Sequence, residues 1–282
     1  MKETIINLRN ALRPIYGDRE TEAIIRLIFH HLKGWSPTDI IIHEDDNLSD
    51  FTKSEISSIM HRLLNHEPIQ YILGEARFHG LDFIVTPAVL IPRPETSELV
   101  DIICDRAADA PDLRVLDIAT GSGCIAIAIA RTLPFPHVTA IDNSETALKV
   151  ARENAARLKA KVDFIHADIF KWSPAPASLD IIVSNPPYID ESEKKDMDAN
   201  VLDFEPASAL FVPDDDPLLF YKRITDVALK ALCPGGNLYF EINPLHAEEL
   251  SRLVEGKGFS DVEIIKDSYG RDRFCIATLP NN

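Results

Sequence analysis

Two short stretches of this chain place residue types at spacings that suit group-transfer chemistry. The first is Asp117-Ile-Ala-Thr-Gly121-Ser-Gly123, which follows the apolar run Arg114-Val-Leu-Asp117 and precedes the apolar run Cys124 to Ala130. Glycines there let the backbone turn tightly and approach a ligand. The helix that follows begins with unpaired N–H groups. Asp142 ends the next apolar run, placed to accept hydrogen bonds from ribose hydroxyls, and Asp168 lies just past the third, where it could meet an adenine amino group. A lone glycine-rich turn beside solvated acids needs no ligand, but three strand ends that each carry an acid favour a nucleoside. The second stretch is Ser184-Asn185-Pro186-Pro187-Tyr188. Its prolines fix the backbone and remove two N–H donors. The Asn185 side-chain carbonyl and the Pro186 backbone carbonyl can together accept both hydrogens of a planar –NH₂ group, and Tyr188 can lay its ring on a flat substrate.

The nucleoside is not settled by these residues. Gly121-x-Gly123-x-x-Ala126, with Asp142 near the expected offset of about 20 residues, also fits a dinucleotide fingerprint. Asp117 counts against that ligand, because a carboxylate ahead of the glycines would repel a pyrophosphate. It suits a cationic ligand with an amino group, such as S-adenosylmethionine.

The elements that must position these groups follow from periodicity. Ile5, Leu8, Leu12 and Ile15 recur at helical spacing, Glu22 to Leu32 carries a broad apolar face stopped by Gly34, and Lys53 to Asn65 reads as a third helix with Ser54 as its cap or first turn. Glu75–Phe78 and Leu81–Val85 read as a hairpin around His79-Gly80. Ile91-Pro-Arg-Pro-Glu-Thr96 reads as a stiff, extended domain link. From there strands and helices alternate, with strands expected at 114–117, 138–142, 162–166, 180–184, 236–242, 262–266 and 274–279. Such alternation implies an α/β fold with a mostly parallel sheet covered by helices on both faces. Ligands in such sheets bind beyond the carboxyl ends of the strands, where both motifs fall.

Composition narrows the class. The chain has 282 residues, 45% apolar and 26% charged, with 29 Lys and Arg against 45 Asp and Glu, for a net charge of −16. A protein that grips nucleic acid through phosphates is normally basic. No apolar run approaches the ~20 residues a bilayer span needs, and Met1 to Pro14 does not read as a signal peptide. Cys104, Cys124, Cys233 and Cys275 are scattered, which offers neither a disulfide framework nor a zinc site and fits a reducing cytoplasm.

With Gln70-Tyr-Ile-Leu-Gly-Glu75, Leu90-Ile-Pro-Arg-Pro-Glu-Thr96, Val183-Ser-Asn-Pro-Pro-Tyr-Ile-Asp190 and Phe204-Glu-Pro206 added to the two motifs, the chain resembles the PrmC/HemK family along nearly its whole length. These are the peptide-chain release factor N5-glutamine methyltransferases. The resemblance implies a seven-stranded Rossmann-like methyltransferase domain at 96–282, an N-terminal helical substrate-docking domain at 1–73, and a β-hairpin and proline-rich linker at 74–95. It implies S-adenosyl-L-methionine (AdoMet) as methyl donor. Ala119, Thr120, Gly121, Ser122 and Gly123 would form its loop, Asp142 would meet the ribose, and Asp168 and Ile169 would flank the adenine, with Asn185 also at the cofactor. Asn185, Pro186, Pro187 and Tyr188 would hold the substrate glutamine, and Asn185, Pro186 and Tyr188 would carry catalysis. The implied substrate is the glutamine of the Gly-Gly-Gln loop of class-I release factors, in the cytoplasm, with no direct nucleic-acid or membrane partner and no metal.

Ala119 and Asn243 stand where the family usually has glycine. The first is a small cost unless the backbone there needs positive φ. Glu205 reads either as a surface acid or as a residue ordering a loop, and Arg93 and Glu95 as linker or as site wall. The loop Asp190 to Asp203 is strongly acidic. An adenine or cytosine methyltransferase shares the Asn-Pro-Pro-Tyr motif and stands as the alternative, and a non-catalytic AdoMet- or NAD-binding module is the third.

Overall fold

A computed structural model of the protein describes residues 1–281. The chain divides into two compact units: Met1–Gly74 with Asp198–Phe204, and Glu75–Met197 with Glu205–Asn282.

The first unit is helical. Helix α1 (Lys2–Lys33) is two helices joined at Gly17, whose backbone (φ 70°, ψ 175°) leaves the helical region, and Gly34 closes it in the left-handed conformation. Helix α2 (Pro37–Ile42) starts on a capping box between Ser36 and Asp39. Helix α3 (Asp50–Leu64) is capped by Ser49, whose side chain accepts the Thr52 N–H. The expected cap, Ser54, lies inside this helix, which starts a turn earlier than its apolar positions suggest. Helix α4 (Ile69–Leu73) completes the N-terminal segment. Leu8, Leu12, Ile28, Phe29 and Leu63 are fully buried between these helices, and the Tyr16 hydroxyl donates to the Leu63 carbonyl at 2.7 Å. Ile15, whose helical spacing placed it with the inward residues, lies at the apolar margin at 38% exposed, as do Leu27 at 42% and Leu64 at 39%.

The second unit opens with the antiparallel hairpin β1 (Glu75–Phe78) and β2 (Leu81–Ile84). Helix α5 (Pro94–Arg106) begins inside the segment expected to be extended, because Pro94 takes its first turn, where a missing N–H costs nothing. The extended link is therefore shorter than its two prolines suggest. Then follow β3 (Arg114–Ile118), α6 (Cys124–Thr132), β4 (His137–Asp142), α7 (Glu145–Arg157), β5 (Val162–His166) and β6 (Leu179–Ser184). The long loop after β6 contains β7 (Ile189–Asp190) and β8 (Phe211–Val212), paired in parallel, and between them α8 (Ala199–Leu202), which is counted with the first unit. Helix α9 (Leu219–Ala231), β9 (Leu232–Glu241), α10 (Ala247–Gly256), β10 (Ser260–Lys266) and β11 (Asp272–Thr278) end the chain.

The seven-stranded sheet has the order β10-β11-β9-β6-β3-β4-β5, with β11 antiparallel to both its neighbours and the other pairs parallel. Side chains alternate across it. Val115, Val138 and Val183 pack toward α5 and α6, whereas Leu116, Ile141 and Ile182 pack toward α9 and α10. Both faces are thus covered, as a parallel sheet requires. The chain runs outward from β3 through β4 to β5 and returns at β6 on the other side of β3. That reversal makes a crevice beyond the ends of β3 and β6, the usual ligand position in such sheets.

Candidate active site

A cleft of about 540 Å³ opens at that crevice, within the range of about 300–1,000 Å³ typical of small-ligand sites. It lies wholly in the second unit. Parallel pairing sets Ile118 opposite Ser184, so the glycine loop and Asn185 leave adjacent strand ends. The Ser184 hydroxyl locks them together by donating to the Ile118 carbonyl at 2.8 Å. Ala119, Thr120, Gly121, Ser122, Asp142, Asp168, Ile169, Asn185, Pro186 and Pro187 all line this cleft. Gly123 and Tyr188 do not.

The glycine loop is held from below. Asp117 is fully buried, and its Oδ2 accepts the Thr120 hydroxyl at 2.5 Å and the Ala126 N–H at 3.2 Å. Burial lifts its pKa to about 7. It is absent from the cleft wall, which corrects the expectation that it meets a cationic ligand. Its carboxylate anchors the loop and the first turn of α6 instead. Ala119 has φ 60°, the one condition under which its methyl group was expected to cost something, and it sits in the left-handed region, where a Cβ is crowded. Gly123 has φ 81°, and a Cβ there would come within 3.1 Å of Ala151 Cβ and Ile127 Cδ1. Its role is close packing of α6 on α7.

Asp142 takes the Gly121 N–H on Oδ2 and the Ser144 N–H on Oδ1, each at 2.9 Å. Burial raises its pKa while these donors oppose the rise. Each oxygen keeps acceptor capacity for ligand hydroxyls. Asp168 is held below the usual carboxylate range by the Phe170 N–H and the Lys171 ammonium. Next to it, Ile169, Phe170, Phe220 and Ile224 form an apolar slot, with the Phe170 and Phe220 rings 5.3 Å apart. Paired acceptors, a helix start and an apolar slot fit the ribose, amino-acid and adenine parts of AdoMet.

The other side of the cleft is built from side chains. The Asn185 Nδ2 donates to Thr96 Oγ1 at 3.2 Å, and Thr96 Oγ1 donates to Glu241 Oε2 at 2.6 Å. The Tyr188 hydroxyl donates to Glu241 Oε1 at 3.0 Å. Glu241 is 1% exposed, and burial raises its pKa against the pull of these two hydroxyls and Arg273. Tyr188 therefore turns its hydroxyl into the protein, away from the position expected for a ring lying on substrate. Asn243 Nδ2 holds the Tyr188 carbonyl at 3.1 Å and Glu193 Oε2 at 2.8 Å, which gives the second departure from the family pattern a role.

Glu205 is no surface acid. Its side chain is 1% exposed, with Oε1 paired to Arg93 Nη2 at 2.5 Å and Oε2 accepting the Ile91 N–H at 3.1 Å. Arg93, Pro92 and Thr96 line the cleft together with Pro206, Ser208 and Ala209. Glu205 and Pro206 therefore share one wall with the Leu90–Thr96 string.

Three positioning residues were not singled out in the sequence. Thr96 gave no signal beyond its place in a motif. Glu241 had one, a charge inside the apolar run Leu238-Tyr-Phe-Glu-Ile242. Asn154 had one too, a polar residue on the apolar face of α7. It is fully buried and clamps Ile84 of β2, through both N–H and carbonyl, to the Ser122 carbonyl of the loop.

Comparison with known proteins agrees with this geometry. Residues 3–74 match the PrmC N-terminal domain family, and residues 99–209 match the methyltransferase small domain family. A release factor glutamine methyltransferase of Bacteroides thetaiotaomicron is 48% identical over 96% of this chain and 97% of its own length. The chain belongs to the release factor glutamine methyltransferase family. A second member, from Flavobacterium psychrophilum, is 42% identical over 93% of both chains. The fold of these methyltransferases extends to more distant proteins: a methyltransferase structure from Pyrococcus furiosus, 21% identical, superimposes with a TM-score of 0.53 over 79% of this chain and 99% of its own.

Proposed function

We propose that this protein transfers the methyl group of AdoMet to the side-chain amide nitrogen of the glutamine in the Gly-Gly-Gln loop of class-I peptide chain release factors. The observation that carries this is that Asn185 and Pro186 line the same cleft as the nucleoside-type site made by Gly121, Asp142 and Asp168. Family membership selects glutamine from among planar amino groups.

AdoMet supplies an electrophilic methyl group on its sulfonium. The residues of this chain do the rest by placement. Asp142 holds the ribose hydroxyls, Asp168 and Ile169 border the adenine, and the loop from Ala119 to Ser122 follows the amino-acid portion, with Gly123 packing the helix behind it. Asn185 Oδ1 and the Pro186 carbonyl accept the two hydrogens of the glutamine amide. An amide nitrogen is a weak nucleophile because its lone pair is shared with its carbonyl. Two acceptors on its hydrogens stabilise positive charge growing on nitrogen and turn the lone pair toward the methyl group. Catalysis is then positioning and fixed dipoles, and the surplus proton leaves after transfer. Residues 1–73 serve as the docking module for the release factor, and the net charge of −16 suits a protein partner better than a polyphosphate. No helix among the described residues is long and apolar enough to cross a membrane, and the site of action is the cytoplasm, where release factors work.

The test is incubation with methyl-labelled AdoMet and a class-I release factor, wild type or with its Gly-Gly-Gln glutamine changed to alanine, beside a tube of duplex and single-stranded DNA. Label on the wild-type factor alone is expected. Label on DNA would transfer the assignment to the nucleic-acid methyltransferases that share Asn-Pro-Pro-Tyr.

A further inference from the structure

We propose that Thr96 and Glu241 are positioning residues that fix which end of the Asn185 side-chain amide faces the substrate. This rests on the glutamine-methylation function above and specifies how its acceptor is oriented. An asparagine side chain has a donor end and an acceptor end of nearly the same shape, and only its partners decide between the two orientations. At Asn185 the wrong orientation would aim an NH₂ at the substrate's own NH₂ and abolish one of the two acceptors.

The hydrogen-bond chain leaves one consistent polarity. Both oxygens of Glu241 are occupied by hydroxyl donors, Thr96 at 2.6 Å and Tyr188 at 3.0 Å. The Thr96 proton is therefore committed to the carboxylate. Its oxygen can only accept from Asn185, which must present Nδ2 at 3.2 Å. Oδ1 is then the end left for the cleft that Asn185 lines. Glu241 sits where this is possible because Phe240 pairs with Ser184 in the parallel register, so Glu241, the last residue of β9, lies one step past that pair just as Asn185 does on the β6 side. The pairing of Glu241 with Phe274 on β11 holds it from the other side. The same carboxylate fixes Tyr188, so one buried group holds both ends of the Asn-Pro-Pro-Tyr segment.

Three variants test the oxygen apart from the shape. Thr96→Val removes the acceptor and should lower kcat on a release factor roughly tenfold to a hundredfold, with AdoMet affinity changed less than about twofold. Thr96→Ser keeps the oxygen and should recover most of the turnover. Glu241→Gln places a donor in the chain. Where its NH₂ meets Thr96, that hydroxyl must turn toward Asn185 and draw Oδ1 inward, so kcat should fall while thermal unfolding still shows a folded protein. A merely structural role would lower kcat with Thr96→Ser as far as with Thr96→Val, or would weaken AdoMet binding in step with kcat, and either result overturns the proposal. An arm independent of turnover follows solvent exchange of the Asn185 side-chain amide protons by NMR, assigned by their loss in Asn185→Asp. They should exchange more slowly in the wild type than in Thr96→Val, and equal rates overturn the proposal. If the wild-type enzyme leaves the release factor unlabelled, the methylation assignment fails, and the exchange arm still decides the orientation of Asn185.

Discussion

The two sides of the cleft are held by different means. On the cofactor side, loops are fixed over short to moderate separations: Asp117 takes Thr120 and Ala126, Asp142 takes N–H groups from Ser144 and, over 21 residues, Gly121, and Asn154 reaches Ser122 over 32. On the amide side, side chains meet across long separations. Thr96 reaches Glu241 over 145 residues, and Arg93 reaches Glu205 over 112. The cofactor loops are thus held by β3, β4 and α7 with their turns, whereas the amide site needs strands and loops far apart in the chain. Damage to the first should fall on the fold and on cofactor binding. Damage to the second should fall on turnover.

The largest expected effect breaks the cofactor side by pH. Asp117 moves from an ordinary value of 3.8 to about 7 on folding. The folded state therefore holds this proton more tightly than the unfolded chain. Its contribution is most favourable below about pH 4 and is lost as pH rises through about 7. A shift of about three pH units corresponds to on the order of 4 kcal/mol. Asp117→Asn should remove that dependence, so the stability of the variant relative to wild type should improve from about pH 4 to about pH 8 in denaturant titrations. A parallel pair of curves would show that the buried carboxylate is not the source.

Next comes the amide side. Asn185→Ala removes one acceptor and should cost about 3 kcal/mol in kcat, by analogy with losing one oxyanion-hole donor, and change AdoMet affinity little. Unchanged turnover would remove Asn185 from the chemistry. Glu205→Ala leaves the Ile91 N–H and part of the Arg93 guanidinium without a partner, at about 1–3 kcal/mol of stability. It should raise KM for the release factor more than Kd for AdoMet, and the reverse would move this wall to the cofactor side.

The smallest effects return to the glycine loop. Gly123→Ala forces a Cβ against Ala151 and Ile127 at positive φ and should destabilise by about 2 kcal/mol with weaker AdoMet binding. Ala119→Gly relieves a left-handed alanine but adds freedom to the unfolded chain, so the net gain should stay below about 1 kcal/mol. A loss of stability would mean that the methyl group makes packing contacts worth more than its strain.

The same contrast explains what the sequence disclosed. The strands and most helices were legible because alternation and amphipathic faces are local signals. The nucleoside side was legible because its motif and acids recur at each successive strand end. Glu205 stayed open between a surface acid and a loop-ordering residue, and the direction of the Tyr188 hydroxyl was missed, because their partners lie far along the chain and nothing in Phe-Glu-Pro announces a buried ion pair. Ser54 read as the cap or first turn, and Ser49 was not singled out, because the apolar positions of α3 begin a turn after its true start. Asp117 was assigned to the ligand because its position beneath the loop depends on the turn that Thr120 makes back toward it.

The place of Glu241 also sets an order of construction. A chain made from its N-terminus has β3 to β6, and with them the glycine loop, Asp142, Asp168 and Asn185, well before β9 exists. Domains form as their segments emerge, and distant contacts wait for the loops between them to close. The carboxylate that orients Asn185 arrives only when β9 docks between β6 and β11. Every residue named for the nucleoside half is made before the carboxylate that orients the amide half, so the half of the site that selects an amide is the last to be completed along the chain.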